Sequence, residues 1–236
     1  MKKLLSLILI LAMLTFSMVS CNKEETTDPT TETLAPSTPE TPIVPETRYT
    51  VTAEEWIAAM DLTNYTATSS HSETYNVNGE VTSGEYTVEM IATDEVVFVK
   101  TTSEDTVSKM YYIFDDGVTY CVSEKSDGTL GYVSTDPYNY YRNFGTSFDC
   151  GSISFDSLSY NETAKAYTCS IPGEDGAVMN YAFYFVDGKL TKLVATASLD
   201  YSDGVSRISV EMAAAVIVSN HGTATLTVPE FERPGT

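Results

Sequence analysis

Pairs of asparagine or aspartate followed by glycine recur at short intervals along the chain, and they constrain its fold more than any other feature. Asn, Asp and Gly tolerate the positive φ that the tight turns of β-hairpins require. The segments between the pairs are rich in tyrosine, threonine and valine, which favour strands. Such pairs include Asn78-Gly79, Asp116-Gly117, Asp127-Gly128, Asp187-Gly188 and Asp203-Gly204. The sequence therefore predicts a mostly β protein built from antiparallel hairpins.

The hairpin at Asp116-Gly117 can be tested against its own register. A two-residue turn pairs Asp115 with Val118, Ile113 with Tyr120 and Tyr111 with Val122. One face of this ribbon is then apolar, and the other carries Tyr112 and Phe114. The ribbon that turns at Asp187-Gly188 is equally apolar. We expect a sheet that is covered on one side and partly sheltered on the other.

Two segments have helical signals. Thr52 and Glu55 have the spacing of a capping box, and an apolar stripe of Trp56, Ile57 and Met60 follows it. We expect this helix to lie across the sheet. A second candidate runs from Asp136 to Phe144, with a capping residue and a first-turn proline.

The first 20 residues have the order of a secretory signal peptide. Lys2 and Lys3 precede an apolar stretch that is too short for a bilayer-spanning helix. The sequence Met18-Val19-Ser20-Cys21 resembles the lipobox of bacterial lipoproteins. This resemblance implies that Cys21 is acylated and begins the mature chain. We therefore expect a protein anchored to the cell membrane by lipid, with its folded part on the extracytoplasmic side.

Residues 21–46 are rich in Thr, Glu and Pro and nearly lack apolar side chains. Such a segment cannot bury enough surface to offset its ordering entropy, so we expect a disordered linker. Residues 47–236 then suit a single domain.

The charge and the motifs of the chain exclude several functions. The formal net charge is −20, and no basic cluster lies outside the signal peptide, so nucleic-acid binding is not expected. His71 and His221 lack metal-ligand spacing, and no nucleophile elbow or phosphate loop occurs. We read His71 as an exposed polar strand residue. We expect no enzymatic activity, no cofactor and no metal, and we expect a monomer.

Three cysteines follow Cys21 in an oxidising compartment: Cys121, Cys150 and Cys169. A bridge between Cys150 and Cys169 would need a bulge in the hairpin between them, and buried free thiols are an equal alternative.

The richest remaining signal is aromatic. Such side chains most often form core, but a cavity lined by them can hold an apolar molecule. The candidate ligand contacts are Trp56, Tyr138, Tyr141, Phe144, Tyr181, Phe183, Phe185 and Val194.

The order of these segments resembles the superfamily of LolA-like lipoprotein carriers and mycobacterial lipid-binding lipoproteins. The resemblance rests on the order of five segments. They are the Trp56 helix, the hairpin from Tyr111 to Tyr120, the aromatic segment from Pro137 to Phe144, the turn from Phe185 to Leu190, and the C-terminal segment from Asn220 to Pro229. It implies a curved antiparallel sheet, a half-barrel, with one or two short helices over an apolar cavity. The expected function is binding of a lipid or another apolar ligand for carriage or sensing. The alternative is a protein-interaction module at the cell surface with no ligand cavity.

Overall fold

The computed structural model describes residues 47–104, 106–136, 141–173, 176–202 and 207–233. The described residues form one curved, open antiparallel sheet of eleven strands with two short helices. The prediction of a mostly β protein with a half-barrel sheet is thus confirmed. The strands are β1 (Tyr65–Val77), β2 (Glu80–Ala92), β3 (Val96–Thr102), β4 (Val107–Asp115), β5 (Val118–Glu124), β6 (Leu130–Asp136), β7 (Ser159–Asn161), β8 (Ala166–Pro172), β9 (Val178–Val186), β10 (Lys189–Ser202) and β11 (Arg207–Ser219).

The strand order is β6-β5-β4-β3-β2-β1-β11-β10-β9-β8-β7. Each strand therefore pairs with a neighbour in sequence, except where the first strand meets the last in the middle of the sheet. That pairing runs from Thr66 opposite Ser219 to Val77 opposite Ile208. Local hairpins build the two halves, and this one long-range ladder joins them.

The turn predictions are confirmed where the structure describes them. Asp116 and Gly117 have φ values of 47° and 77°, and they close the ladder at Asp115 and Val118. Ile113 lies opposite Tyr120 and Tyr111 opposite Val122, in the predicted register. Asp203-Gly204 lies outside the described residues.

One face of the sheet, which we call the helix face, packs against helix α1 (Ala53–Met60). The predicted capping box is present, because Thr52 accepts from the Glu55 backbone and the Glu55 carboxylate accepts from the Thr52 backbone. Trp56 and Met60 are buried, as expected. Ile57 is 58% exposed, so its assignment to the apolar stripe was wrong.

The second helix, α2, spans Phe144–Ser147 and begins later than predicted. Asp136 does not cap it, because that residue is the last of strand β6. Asn143 provides the cap instead, accepting from the Thr146 backbone. Residues 137–140 lie outside the described part of the chain.

The opposite face, which we call the outer face, has a small core of its own. Val96, Ile113 and Val122 are at most 2% exposed, and the C-terminal segment covers them through Leu226, Val228 and Phe231. This cover explains why both faces of the β4–β5 ribbon are apolar, since each face is buried by a different part of the chain.

Candidate functional site

Burial on the helix face changes sharply along the central strands. On β11, Val218 and Val216 are 4% and 1% exposed, whereas Ala214 and Met212 on the same face are partly exposed. Strand β10 shows the same change from Leu193 to Ala195 and Ala197. The two helices, α1 and α2, form a helical layer over one end of this face. The part of the face beyond that layer is partly exposed.

We call this open stretch the helix-face patch. Cross-strand register places its members in two neighbouring rows. The first row runs Tyr181, Ala195, Ala214, His71, Tyr86, and the second runs Met179, Ala197, Met212, Glu73, Gly84. The tyrosines at the two ends of the first row, Tyr181 and Tyr86, are buried at 6% and 5% exposure. The two alanines between Tyr181 and His71 have small side chains, so the exposed surface is recessed there. Beyond the second row, Val210 is again 7% exposed and lies opposite Tyr75 and Leu199, which closes the far end.

His71 forms one wall of the patch. Its ring stacks on Tyr86 with centroids 4.4 Å apart and planes 5° from parallel. Nε2 lies 2.7 Å from the Ser69 hydroxyl. Desolvation by burial lowers the pKa of His71 to about 4, so the imidazole is neutral at pH 7. The interpretation of His71 as an exposed polar residue was wrong, because it alternates in phase with Tyr65 and Ala67 and faces the helix side.

Glu73 lies next to His71 on the same face. Its carboxylate accepts a hydrogen bond of 3.0 Å from the Tyr75 hydroxyl. Partial burial raises the pKa of Glu73, and the Tyr75 hydrogen bond opposes that rise. Gly84 is directly opposite, and a Cβ there would stand 3.2 Å from the Glu73 Oε1. The glycine thus leaves room for the carboxylate to lie over β2.

Four of the predicted ligand contacts form the packed core under the helices. Trp56, Phe144, Phe183 and Phe185 are at most 2% exposed. The Trp56 ring meets Phe183 edge to face at 4.7 Å, and its indole N–H donates to the Ile153 carbonyl at 3.2 Å. The Phe183 side chain has no exposed surface, so there is no space for a water molecule beside it. These rings are covered within the core, and their role in binding stays a prediction.

The other predicted contacts are dispersed. Tyr181, 6% exposed, lies at the boundary between the core and the helix-face patch. Tyr141 packs on Tyr112 with ring centroids 4.0 Å apart. Tyr138 and the lipidation candidate Cys21 lie outside the described residues.

Val194 lies on the outer face, away from Phe183 and Phe185. A β-bulge between Leu190 and Lys192 inserts one residue, so Val194 pairs with Ala182. Without the bulge, counting from the turn at Asp187-Gly188 would place Val194 opposite Tyr181, on the helix face. One extra residue reverses which face each following side chain takes. Sequence alternation alone therefore assigned Val194 to the wrong side.

Two open depressions on the sheet have volumes of about 440 and 320 Å³. Their linings are mainly outer-face hydroxyl and amide side chains, among them Thr168, Ser170, Asn180 and Thr196 in the larger one. Neither is the apolar cavity under the helices that the aromatic residues suggested.

The thiols of Cys121, Cys150 and Cys169 are all free. Cys150 is fully buried, and its sulfur lies 3.7 Å from that of Met60. Burial raises the pKa of the Cys150 thiol to about 12, so it stays protonated. Cys121 is buried as well, whereas Cys169 is only partly buried, so the buried-thiol alternative holds for two of the three cysteines.

Within the described ranges, no group of three or more His, Cys, Asp or Glu side chains could hold a metal ion. In the same ranges, no helix has the length and apolar character to cross a bilayer.

Two of the solved structures that resemble this chain illustrate how weak the likeness is. A DUF1329 family protein from Desulfovibrio piger ATCC 29098 aligns over 70% of this chain and 88% of its own, with 10% identity and a TM-score of 0.30. MucB, solved in complex with MucA(peri), aligns over 73% of this chain and 96% of its own, with 11% identity and a TM-score of 0.13. At these scores neither structure carries an argument about function. No protein-family profile matches the chain, and no curated protein sequence does either.

Proposed function

We propose that this protein is exported, held on the extracytoplasmic side of the cell membrane by a lipid on Cys21, and binds an apolar ligand on its helix-face patch without catalysing a reaction. The observation that carries the proposal is the change in burial along β10 and β11. Apolar side chains continue past the end of the helical layer, where Met179 and Met212 remain partly exposed beside three alanines. A contiguous exposed apolar patch is a binding site or interface more often than the rest of a protein surface is.

The side chains of the patch suit a flexible apolar molecule. Methionine is unbranched and polarisable, so its side chain adapts to ligands of different shape. Alanine leaves the floor low enough for a chain to lie between the Tyr181 and His71 rings. Each methylene that a ligand buries there contributes about 0.8 kcal/mol to binding.

The experiment uses the mature chain from residue 21 onward carrying Cys21→Ser, which lacks both the apolar signal peptide and the acylation site and can therefore be purified without detergent. The probe is N-phenyl-1-naphthylamine, an uncharged dye whose fluorescence rises in apolar surroundings. We expect saturable binding to this protein. Ala214→Trp, which fills the first row of the patch, should reduce dye affinity at least severalfold.

The matched control is Ala213→Trp. Ala213 is the preceding residue on β11, but it is exposed on the outer face, so this variant should bind dye as before. Absence of saturable binding, or equal loss in both variants, would refute the proposed site.

One observation favours the alternative, a protein-interaction module. Strand β6 is at one end of the sheet and pairs only with β5 in the described part of the chain. Its Tyr132 and Val133 are 40% and 55% exposed. An unpaired edge can accept an extended segment of a partner. Val133→Pro, which removes a backbone donor, should then abolish partner capture while leaving dye binding unchanged.

A further inference from the structure

Glu73 is a partly buried carboxylate on strand β1, and it has no basic partner among the described residues. Glu89, Glu124 and Asp200 form ion pairs with Lys100, Lys109 and Arg207. Among the described residues, the Glu73 carboxylate has a hydrogen bond only from Tyr75, and its pKa is influenced by no Lys or Arg. A partly buried carboxylate without a countercharge is unfavourable, because desolvation penalises its charged form.

Aromatic rings surround the same position. His71 and Tyr86 stack in the neighbouring row, and Tyr75 lies two residues along β1 on the same face. The Tyr75 hydroxyl donates to the Glu73 carboxylate at 3.0 Å, and the charge of Glu73 contributes to raising the pKa of Tyr75 and of Tyr86. A carboxylate beside aromatic rings is the arrangement that recognises an ammonium group, through ion pairing and cation–π attraction.

The apolar part of the helix-face patch lies directly beside Glu73. Met212 lies opposite Glu73, and Ala197 and Met179 follow it across the sheet in the second row. A molecule with its head at Glu73 would therefore lay its chain over Met212, Ala197 and Met179. The net charge of −20 would also raise the local concentration of cations and lower that of anions.

The geometry points to an amphiphile with a protonated amine as the ligand of the helix-face patch, its ammonium group paired with Glu73 and its apolar chain lying over Met212, Ala197 and Met179. This inference rests on the proposed function. It names the headgroup, which the apolar surface alone does not. A fatty acid of the same length would place its carboxylate against that of Glu73 and would bind more weakly.

The test compares two displacers of the bound N-phenyl-1-naphthylamine at pH 7, both below their micelle concentrations. Dodecylamine is protonated at this pH and dodecanoate is ionised, and the two have equal chain length. On the Cys21→Ser chain, dodecylamine should displace the dye at a concentration about tenfold lower than dodecanoate, which corresponds to about 1.4 kcal/mol. This comparison needs no further variant, so equal displacement by the two amphiphiles would refute the headgroup assignment even if a substitution impairs folding.

Glu73→Gln should remove the preference for the amine. The control is Glu211→Gln, which removes the same charge from an exposed outer-face position on β11 next to Met212. It should leave the preference intact and thereby separates Glu73 from the effect of net charge. Equal displacement by amine and acid, or an equal effect of the two variants, would overturn the headgroup assignment but not apolar binding. Failure of the dye to bind would instead overturn the proposed function itself.

Discussion

Substitution of Trp56 by alanine should destabilise the whole fold, because this side chain packs helix α1 against the sheet. Trp56 is 2% exposed and contacts the rings of Phe183, Phe185 and Phe155 at centroid distances of 4.7, 6.1 and 6.5 Å. Truncation of a buried tryptophan to alanine costs about 3–5 kcal/mol. The lost indole donor also leaves the Ile153 carbonyl without that hydrogen bond. We therefore expect the free energy of unfolding to fall by about 4 kcal/mol, a large part of the roughly 5–15 kcal/mol typical of a domain.

Urea unfolding followed by far-ultraviolet circular dichroism measures this loss with one probe for all variants. The control, Trp56→Phe, keeps an aromatic ring against Phe183 but removes the N–H, so it should cost only about 1–2 kcal/mol. Trp56 is the single tryptophan of the chain, so its fluorescence in the parent protein also reports whether α1 leaves the sheet before global unfolding. A loss below about 1 kcal/mol in Trp56→Ala would refute the claim that this contact stabilises the helical layer.

Three further predictions concern the anchor, a buried imidazole and a close backbone contact. Cys21→Ser should abolish metabolic labelling by a clickable palmitate, and retention of label would contradict acylation at Cys21. Burial lowers the pKa of His71 to about 4 in the folded protein, whereas the unfolded chain takes up this proton near pH 6.5. Protonation therefore favours the unfolded chain, and the free energy of unfolding falls as the pH falls from 6.5 to 4. At pH 4.5 this loss should be roughly 2.5 kcal/mol, and the difference in unfolding free energy between pH 7 and pH 4.5, measured in urea, should be smaller by that amount in His71→Gln. A Cβ at Gly145 in helix α2 would stand 2.7 Å from the Gly151 Cα, so Gly145→Ala should lower the free energy of unfolding by about 2 kcal/mol. An unchanged urea midpoint would show that helix α2 and the turn at Gly151 separate easily.

Local patterns were sufficient for the hairpins and for the start of helix α1. The turn at Asp116-Gly117 fixed the register of β4 and β5, because the positive φ values are needed within two residues and side chains alternate with period two. The capping box of Thr52 and Glu55 is equally local. The start of α2 was misplaced, because β6 extends through Asp136 and no short-range signal ends it earlier.

The candidate site was less accessible to sequence reasoning. The aromatic residues predicted as ligand contacts are apolar, as a lipid site requires, but four of them are buried in the core beneath the helices. His71 and Glu73 were overlooked as site residues although the alternation from Tyr65 through Ala67 and Ser69 places them on the same face. Following that alternation to the end of β1 would have found them. Their pairing with Ala214 and Met212 could not be found this way, since it joins the first strand to the last.

The sequence by itself determined the fold class, the positions of the turns and the two-faced character of the strands, because these depend on contacts within a few residues. Tertiary structure decided where the helical layer ends and which side of the sheet Val194 takes after the bulge. It also decided that Glu73 lies beside aromatic rings and, within the described ranges, without a basic partner. Each of these depends on which distant segments meet. Burial and electrostatics at such meeting points are properties of the assembled sheet and of no single segment.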